Sequence, residues 1–136
     1  MKAQKICIIG DGLAGVSTAV ILSQENIQID LYVGNNKKNN LKSDNRTTAI
    51  SESSYQFIKQ KFNIKKSDIF WDCKEINLFF EDKKKIKNFL NFKEKKKKLM
   101  YIFQNKNLKK KLDKSILRKK NIKLIKKNIS DIDYRD

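Results

Sequence analysis

The sequence has no histidine and no proline, only two cysteines and only four glycines among 136 residues. Each shortage closes off a class of chemistry. Without histidine there is no His-based catalytic triad and no Cys2His2 zinc finger. Cys7 and Cys73 are 66 positions apart, a spacing that fits neither a CxxC redox motif nor a disulfide framework, and so few thiols suit a reducing compartment. No apolar run reaches the length of a membrane-spanning helix. Lys2 and Lys5 before the apolar stretch 6–22 imitate a signal peptide, but Asp11 interrupts that stretch and Gly10, Gly12 and Gly15 break any hydrophobic helix in it. The expectation is a cytoplasmic chain, free or held peripherally at the inner face of a membrane.

What is abundant is lysine. Hydrophobic residues make up 39% and charged residues 35%, which allows one modest domain with a small core and marginal stability. Lys and Arg number 32 against 15 Asp and Glu, a net charge of +17, and the excess is uneven: residues 1–36 sum to −1 and residues 37–136 to +18. Such asymmetry invites a nucleic-acid partner. Yet only Arg46, Arg118 and Arg135 are arginines, the residue that reads bases and phosphates with a two-pronged fork. Lys, Asn and Ile (29, 14 and 18 residues) share AT-rich codons, so the charge is read as lysine filling solvated positions in a compositionally drifted chain. Phe79, Phe80, Phe89 and Phe92 are read as strand packing, and no nucleic-acid partner is expected.

Residues 5–9 form a short β-branched run bounded by glycine, the pattern of a fully buried parallel strand. A helix is expected over 13–25, with Ala14, Val16, Ala19, Val20 and Leu22 supplying most of its packing face, and a second strand over 27–33, which makes a βαβ unit. Residues 35–45 read as a polar loop and 51–62 as a helix that Ser51 or Ser53 can cap. Two antiparallel strands are expected over 75–81 and 86–92, another strand over 99–103, and an amphipathic helix over 105–119 with Leu108, Leu112, Ile116 and Leu117 on one face. Short strands close the chain at 122–125 and 129–134. The run 93–98 is a solvated turn.

The motif that carries chemistry is Gly10-Asp11-Gly12-Leu13-Ala14-Gly15, a GxGxxG between a strand and a helix, and it holds three of the four glycines. In a dinucleotide site the first glycine allows a tight turn, the second lets backbone approach a pyrophosphate, and the third lets the helix pack close to the strand. The helix N-terminus offers N–H groups and a partial positive charge to the phosphates. An acid that binds the ribose is expected at the end of the second strand, where Val33 stands. Asp30 has the wrong phase to replace it. Asn35 or Asn36 is the alternative ribose contact, and Lys37 with Lys38 would instead hold a 2′-phosphate, which keeps NADP open.

This opening, followed by Asp44-Asn45-Arg46-Thr47-Thr48-Ala49-Ile50-Ser51, Ile69-Phe70-Trp71 and Met100-Tyr101-Ile102-Phe103-Gln104-Asn105, resembles FAD-dependent aromatic hydroxylases of ubiquinone biosynthesis, in the para-hydroxybenzoate-hydroxylase-like group. The resemblance implies an α/β, Rossmann-like FAD-binding fold with a parallel sheet and a small antiparallel hairpin, present as the incomplete N-terminal part of a larger two-domain flavoprotein. The parts would be 1–35 (dinucleotide unit), 36–104 (Arg46 loop, helix and antiparallel strands) and 105–136 (helix and returning strands). It implies FAD held by Gly10, Asp11, Gly12, Leu13, Ala14 and Gly15, with Arg46 and Gln104 reaching the cofactor. Arg46 suits that role because its fork can hold a pyrophosphate; the alternative is a surface ion pair with Asp44. Gln104 has an alternative too, as a polar residue at a strand end. Trp71 is read as packing, Cys7 as an inert strand residue and Cys73 as small and half-buried.

The flavin would supply the redox chemistry, with NAD(P)H and O2 as co-substrates and a polyprenylated phenol as the substrate, and no residue here is a catalytic acid or base. The family continues into a substrate-binding sheet and a second Gly-Asp motif, so this length implies a fragment or split gene that is inactive alone and meets its substrate through the missing part. A membrane-resident substrate would also favour contact between the lysine-rich part and anionic lipid, and other ubiquinone-biosynthesis proteins as partners. The competing readings are a degenerate, noncatalytic FAD- or NAD-binding remnant and a basic nucleic-acid-binding protein.

Overall fold

A computed structural model of the chain describes residues 4–34, 44–64, 69–82, 85–93, 98–127 and 129. In order these form β1 (Gln4–Ile9), α1 (Leu13–Leu22), β2 (Ile27–Val33), β3 (Thr47–Ile50), α2 (Glu52–Lys61), β4 (Phe70–Cys73), β5 (Glu75–Asp82), β6 (Lys85–Lys93), β7 (Met100–Gln104), α3 (Asn105–Ile116) and β8 (Ile122–Lys126). Asn35, Asn36, Lys37 and Lys38, residues 94–97 of the charge run and residues 130–134 of the last expected strand lie outside the described residues.

The strands correct the expected Rossmann-like α/β architecture. They fall into three separate sheets, ordered β1-β2-β8, β3-β7-β4 and β5-β6, and only the first is parallel. The other two are antiparallel throughout, and the three helices are short. Connection length explains much of this. Only two residues separate β5 from β6, too few for the crossover that a parallel pair needs, so the chain must fold back antiparallel. The result is a strand-rich chain of small sheets and not a doubly wound parallel one.

By contact the chain divides into two units, Met1–Arg46 with Asn105–Asp136, and Thr47–Gln104. In the first, α1 packs on the parallel sheet and α3 packs on α1. Val16, Ala19 and Val20 of α1, Ile29 and Leu31 of β2, and Leu108, Leu112 and Ile116 of α3 are all buried. The α3 residues recur every four positions, which stacks them on one stripe and leaves lysines outside, while α1 carries no charged residue at all. Asn121 fastens the turn into β8 by donating from Nδ2 to the carbonyls of Ser23 (3.1 Å) and Ile27 (2.9 Å). The β1 strand departs from expectation. Lys5, Cys7 and Ile9 on its outer face are exposed, so it is an edge strand covered on one side only.

In the second unit β7 lies between β3 and β4 and buries Tyr101 and Phe103. Tyr55 of α2 stacks on Tyr101 with centroids 3.8 Å apart, and Phe70 meets Phe103 edge-on at 5.3 Å. The hydroxyl of Ser51 caps α2 by accepting from the Ser54 N–H (3.2 Å), and Asn63 ends that segment with a left-handed φ of 49°. The β5-β6 hairpin keeps Phe79, Phe80, Phe89 and Phe92 exposed, which corrects their reading as strand packing. Trp71, also read as packing, is 47% exposed. Cys73 is half-buried as expected, its thiol donating to the Glu75 carbonyl.

Truncating Leu112 to alanine is expected to cost the first unit about 2–5 kcal/mol, because it empties the contact between α3 and α1. The same truncation at exposed Leu117 should stay within about 0.5 kcal/mol. Urea unfolding of the two variants beside the parent chain measures both.

Candidate functional site

The glycine turn joins β1 to α1 inside the first unit, and its three glycines have different physical reasons. Gly10 has φ +103°, a backbone conformation that side-chain-bearing residues rarely adopt, and its N–H donates to the Tyr32 carbonyl of β2 (3.0 Å). Gly15 lies in the first turn of α1, where a Cβ would collide with the Gly10 carbonyl group while only touching Ile8 at an ordinary contact distance of 3.6 Å. The close seat of the helix on the strand therefore depends on that missing carbon.

Gly12 differs from both. Its φ of −64° suits any residue, and a Cβ built there meets nothing within 4 Å. It is the N-cap of α1 without a side chain to cap it, its carbonyl accepts from Val16 N–H (3.0 Å), and no acid occupies the first helical turn. The first-turn N–H groups, including those of Leu13 and Ala14, lie at the positive end of the helix dipole and have no intrahelical partner. Gly12 and Ala14 are exposed, and Asp11 and Leu13 half-buried. Among the described residues nothing comes within 4 Å of a Cβ built on Gly12 and no side chain caps the helix, an opening of the kind that admits an anion.

At the end of β2, Val33 is half-buried with its carbonyl accepting from Lys127 N–H (3.2 Å). It cannot accept a hydrogen bond through its side chain. Asp30, on the opposite face of the strand, pairs with Lys5 at 2.7 Å, and that carboxylate raises the Lys5 pKa.

Arg46 closes the first unit at its junction with α3, and its carbonyl accepts from Asn105 N–H (3.0 Å). The guanidinium lies bidentately on Asp44, Nε to Oδ1 at 2.9 Å and a terminal N to Oδ2 at 3.0 Å, while the Arg46 backbone N–H also donates to Oδ1. This is the ion pair that the spacing of the two residues allowed. These hydrogen bonds, side chain first and backbone second, lower the Asp44 pKa from 3.8 to about 2. Gln104 ends β7 in the second unit, with Thr47 of β3 opposite it in register. The glycine turn and Arg46 thus belong to one unit and Gln104 to the other. The openness beside Gly12 was not readable from sequence, although GxGxxG marked the place.

No known protein family and no curated protein matches the sequence. Among solved structures, the chain resembles the peptidyl tryptophan dihydroxylase QhpG, essential for tryptophylquinone cofactor biogenesis, with a TM-score of 0.51 at 8% identity. All of this chain is covered but only 27% of that one, so the chain spans about a quarter of its length. At such identity the likeness concerns fold alone. The resemblance to ubiquinone-biosynthesis hydroxylases is corrected by these findings: its short motifs, among them the β3 segment Thr47–Ile50, are not backed by any match over the chain. Among the described residues no helix is long and apolar enough to cross a membrane.

Two outcomes are expected at this site. Gly15→Ala should destabilise the chain by about 1–3 kcal/mol through overpacking, whereas Gly12→Ala should cost less than about 1 kcal/mol, the preference of an N-cap for glycine over alanine; thermal unfolding distinguishes them. The Asp44 carboxyl, followed by carbon NMR, should titrate near 2 and return toward 3.8 in Arg46→Ala. Because the folded-state value is depressed, the small contribution of this exposed pair is present above the ordinary carboxylate range and lost as pH falls through about 2.

Proposed function

We propose that the Gly10–Gly15 turn binds the pyrophosphate of an adenine dinucleotide, FAD, as the nucleotide-holding part of an oxidoreductase. The observation that carries this reading is Gly12. Gly10 and Gly15 are required by the fold itself, one for its backbone conformation and one for clearance, but Gly12 has neither requirement. A glycine without a conformational or packing reason, at an uncapped helix start, is accounted for by a ligand that must come close to the backbone.

In this reading the N–H groups of Gly12, Leu13 and Ala14 donate to phosphate oxygens, and the α1 dipole supports the negative charge. Bound FAD would supply the redox chemistry; the chain's own residues hold and orient it. The fold likeness to part of a tryptophan dihydroxylase supports a role in an oxygen-inserting oxidoreductase, with NAD(P)H as the proposed reductant. Arg46, already held by Asp44, and Gln104, in the other unit, are not part of the proposal.

Val33 favours a second reading, a remnant that keeps the turn but no longer binds. An apolar side chain at the end of β2 removes the hydrogen-bond acceptor that would select the ribose. Titrating FAD, and separately ADP, against the purified chain decides between the two. Binding should quench flavin fluorescence and raise the melting temperature, and Gly12→Ala, whose Cβ meets no described residue within 4 Å in the free chain, should weaken it at least about tenfold, roughly 1.4 kcal/mol. Absence of any shift with either nucleotide would establish the remnant.

A further inference from the structure

The β5-β6 hairpin has one polar and one apolar face. On the first, Lys93 pairs with Glu75 at 2.8 Å, Asn91 Nδ2 donates to Glu75 (2.8 Å) and to Asn77, and Asn88 Nδ2 donates to Asn77 (3.2 Å). Strand alternation and register put Ile76 opposite Phe92 and Leu78 opposite Leu90 on the other face, with Phe80 continuing the row. The register shift at Leu78/Phe79 brings Phe89 edge-on to Phe80, 5.9 Å between centroids. Leu78, Phe80, Phe89, Leu90 and Phe92 are each at least 39% exposed. Toward the turn the polar face gives way to Phe79 and Ile86, 59% and 76% exposed. A lone two-stranded sheet is marginal in water, and so large an apolar surface marks an interaction site.

We infer that this apolar face docks on the surface of an anionic lipid bilayer. Charge selects the occupant. The stretch 74–98 holds ten lysines and four acids, so the apolar face lies within a strongly cationic segment. Lys85 follows the turn, and Lys87 lies 6.0 Å from the Phe80 ring centroid, a cation beside the apolar face. Apolar side chains with flanking lysines match the boundary between acyl chains and anionic headgroups, where long lysine stems reach the charged layer. A second copy carries the same +17 and is repelled. Protein interfaces are rich in Trp, Tyr, Phe, Met and Arg and poor in Lys; this hairpin has the phenylalanines but no Trp, Tyr, Met or Arg, and its lysines run against that composition. Single-stranded nucleic acid could stack on Phe79, Phe80, Phe89 and Phe92, but the exposed aliphatic side chains of Leu78, Ile86 and Leu90 among them give a base nothing to stack on, whereas acyl chains accept both kinds.

Co-sedimentation with vesicles at low salt tests the inference. The chain is expected to bind phosphatidylcholine vesicles containing a third phosphatidylglycerol, and pure phosphatidylcholine weakly or not at all. A Phe80→Ser, Phe89→Ser variant keeps the charge and should bind the anionic vesicles at least about tenfold more weakly. A Phe92→Trp variant, which places the probe on the apolar face opposite Ile76, should show a blue shift of its emission on those vesicles beyond any change from Trp71 in the parent chain. The inference is overturned by unchanged binding of the double variant, which would mean adsorption by charge alone, or by no blue shift. Failure to bind anionic vesicles, with binding instead to a single-stranded oligonucleotide or an acidic protein, overturns it equally.

Discussion

A single forbidden atom organises the first unit. Gly15 sits so close to the Gly10 carbonyl that no side chain fits between helix and strand. This close approach lowers α1 onto the parallel sheet, lets Val16, Ala19 and Val20 reach Ile29 and Leu31, and leaves the other flank of α1 for Leu108, Leu112 and Ile116. It also fixes where the first-turn N–H groups face. Packing and the open helix start are therefore consequences of the same geometry, which is why a glycine needed for the fold and a glycine available for a ligand occur three residues apart.

Stability in this chain is concentrated rather than spread. Among the described residues eight buried apolar side chains serve the first unit, while the second relies on Ile64, Ile69, Tyr101 and Phe103 with their aromatic neighbours. Burial raises the Tyr101 pKa, with the Glu52 hydrogen bond acting in the same direction, so the phenol works as a packed, neutral hydrogen-bonding group. The many lysines lie on surfaces where single ion pairs contribute little. The exposed hairpin adds no core of its own.

Local periodicity was legible. The four-residue recurrence in α3, the alternation of Ile76, Leu78 and Phe80, the cap at Ser51 and the glycine turn could all be placed from sequence, because each is written in residues a few positions apart. Sheet membership was not, since alternation in Met100–Gln104 does not reveal that its neighbours are Thr47–Ile50 and Phe70–Cys73. The apolar run in β1 likewise says nothing about whether one or both of its faces are covered. At the site, the ion pair between Arg46 and Asp44 was within reach because a single residue separates them, but the space that the described residues leave beside Gly12 depends on everything that does not pack there.

The second unit leaves and re-enters the first at one point. Thr47 pairs with Gln104, and the adjoining Arg46 and Asn105 are hydrogen-bonded to each other. Yet β2 and β8, which complete the parallel sheet, pair Ile29 with Ile122, 93 positions later. Forming that sheet from an open chain means closing a long loop. If the segment Thr47–Gln104 condenses first, its two ends already lie side by side and the loop shrinks to about a third of its contour, a saving of roughly 1 kcal/mol in closure entropy. The insertion can therefore act as an internal tether, shortening the search that brings the two ends of the first unit together.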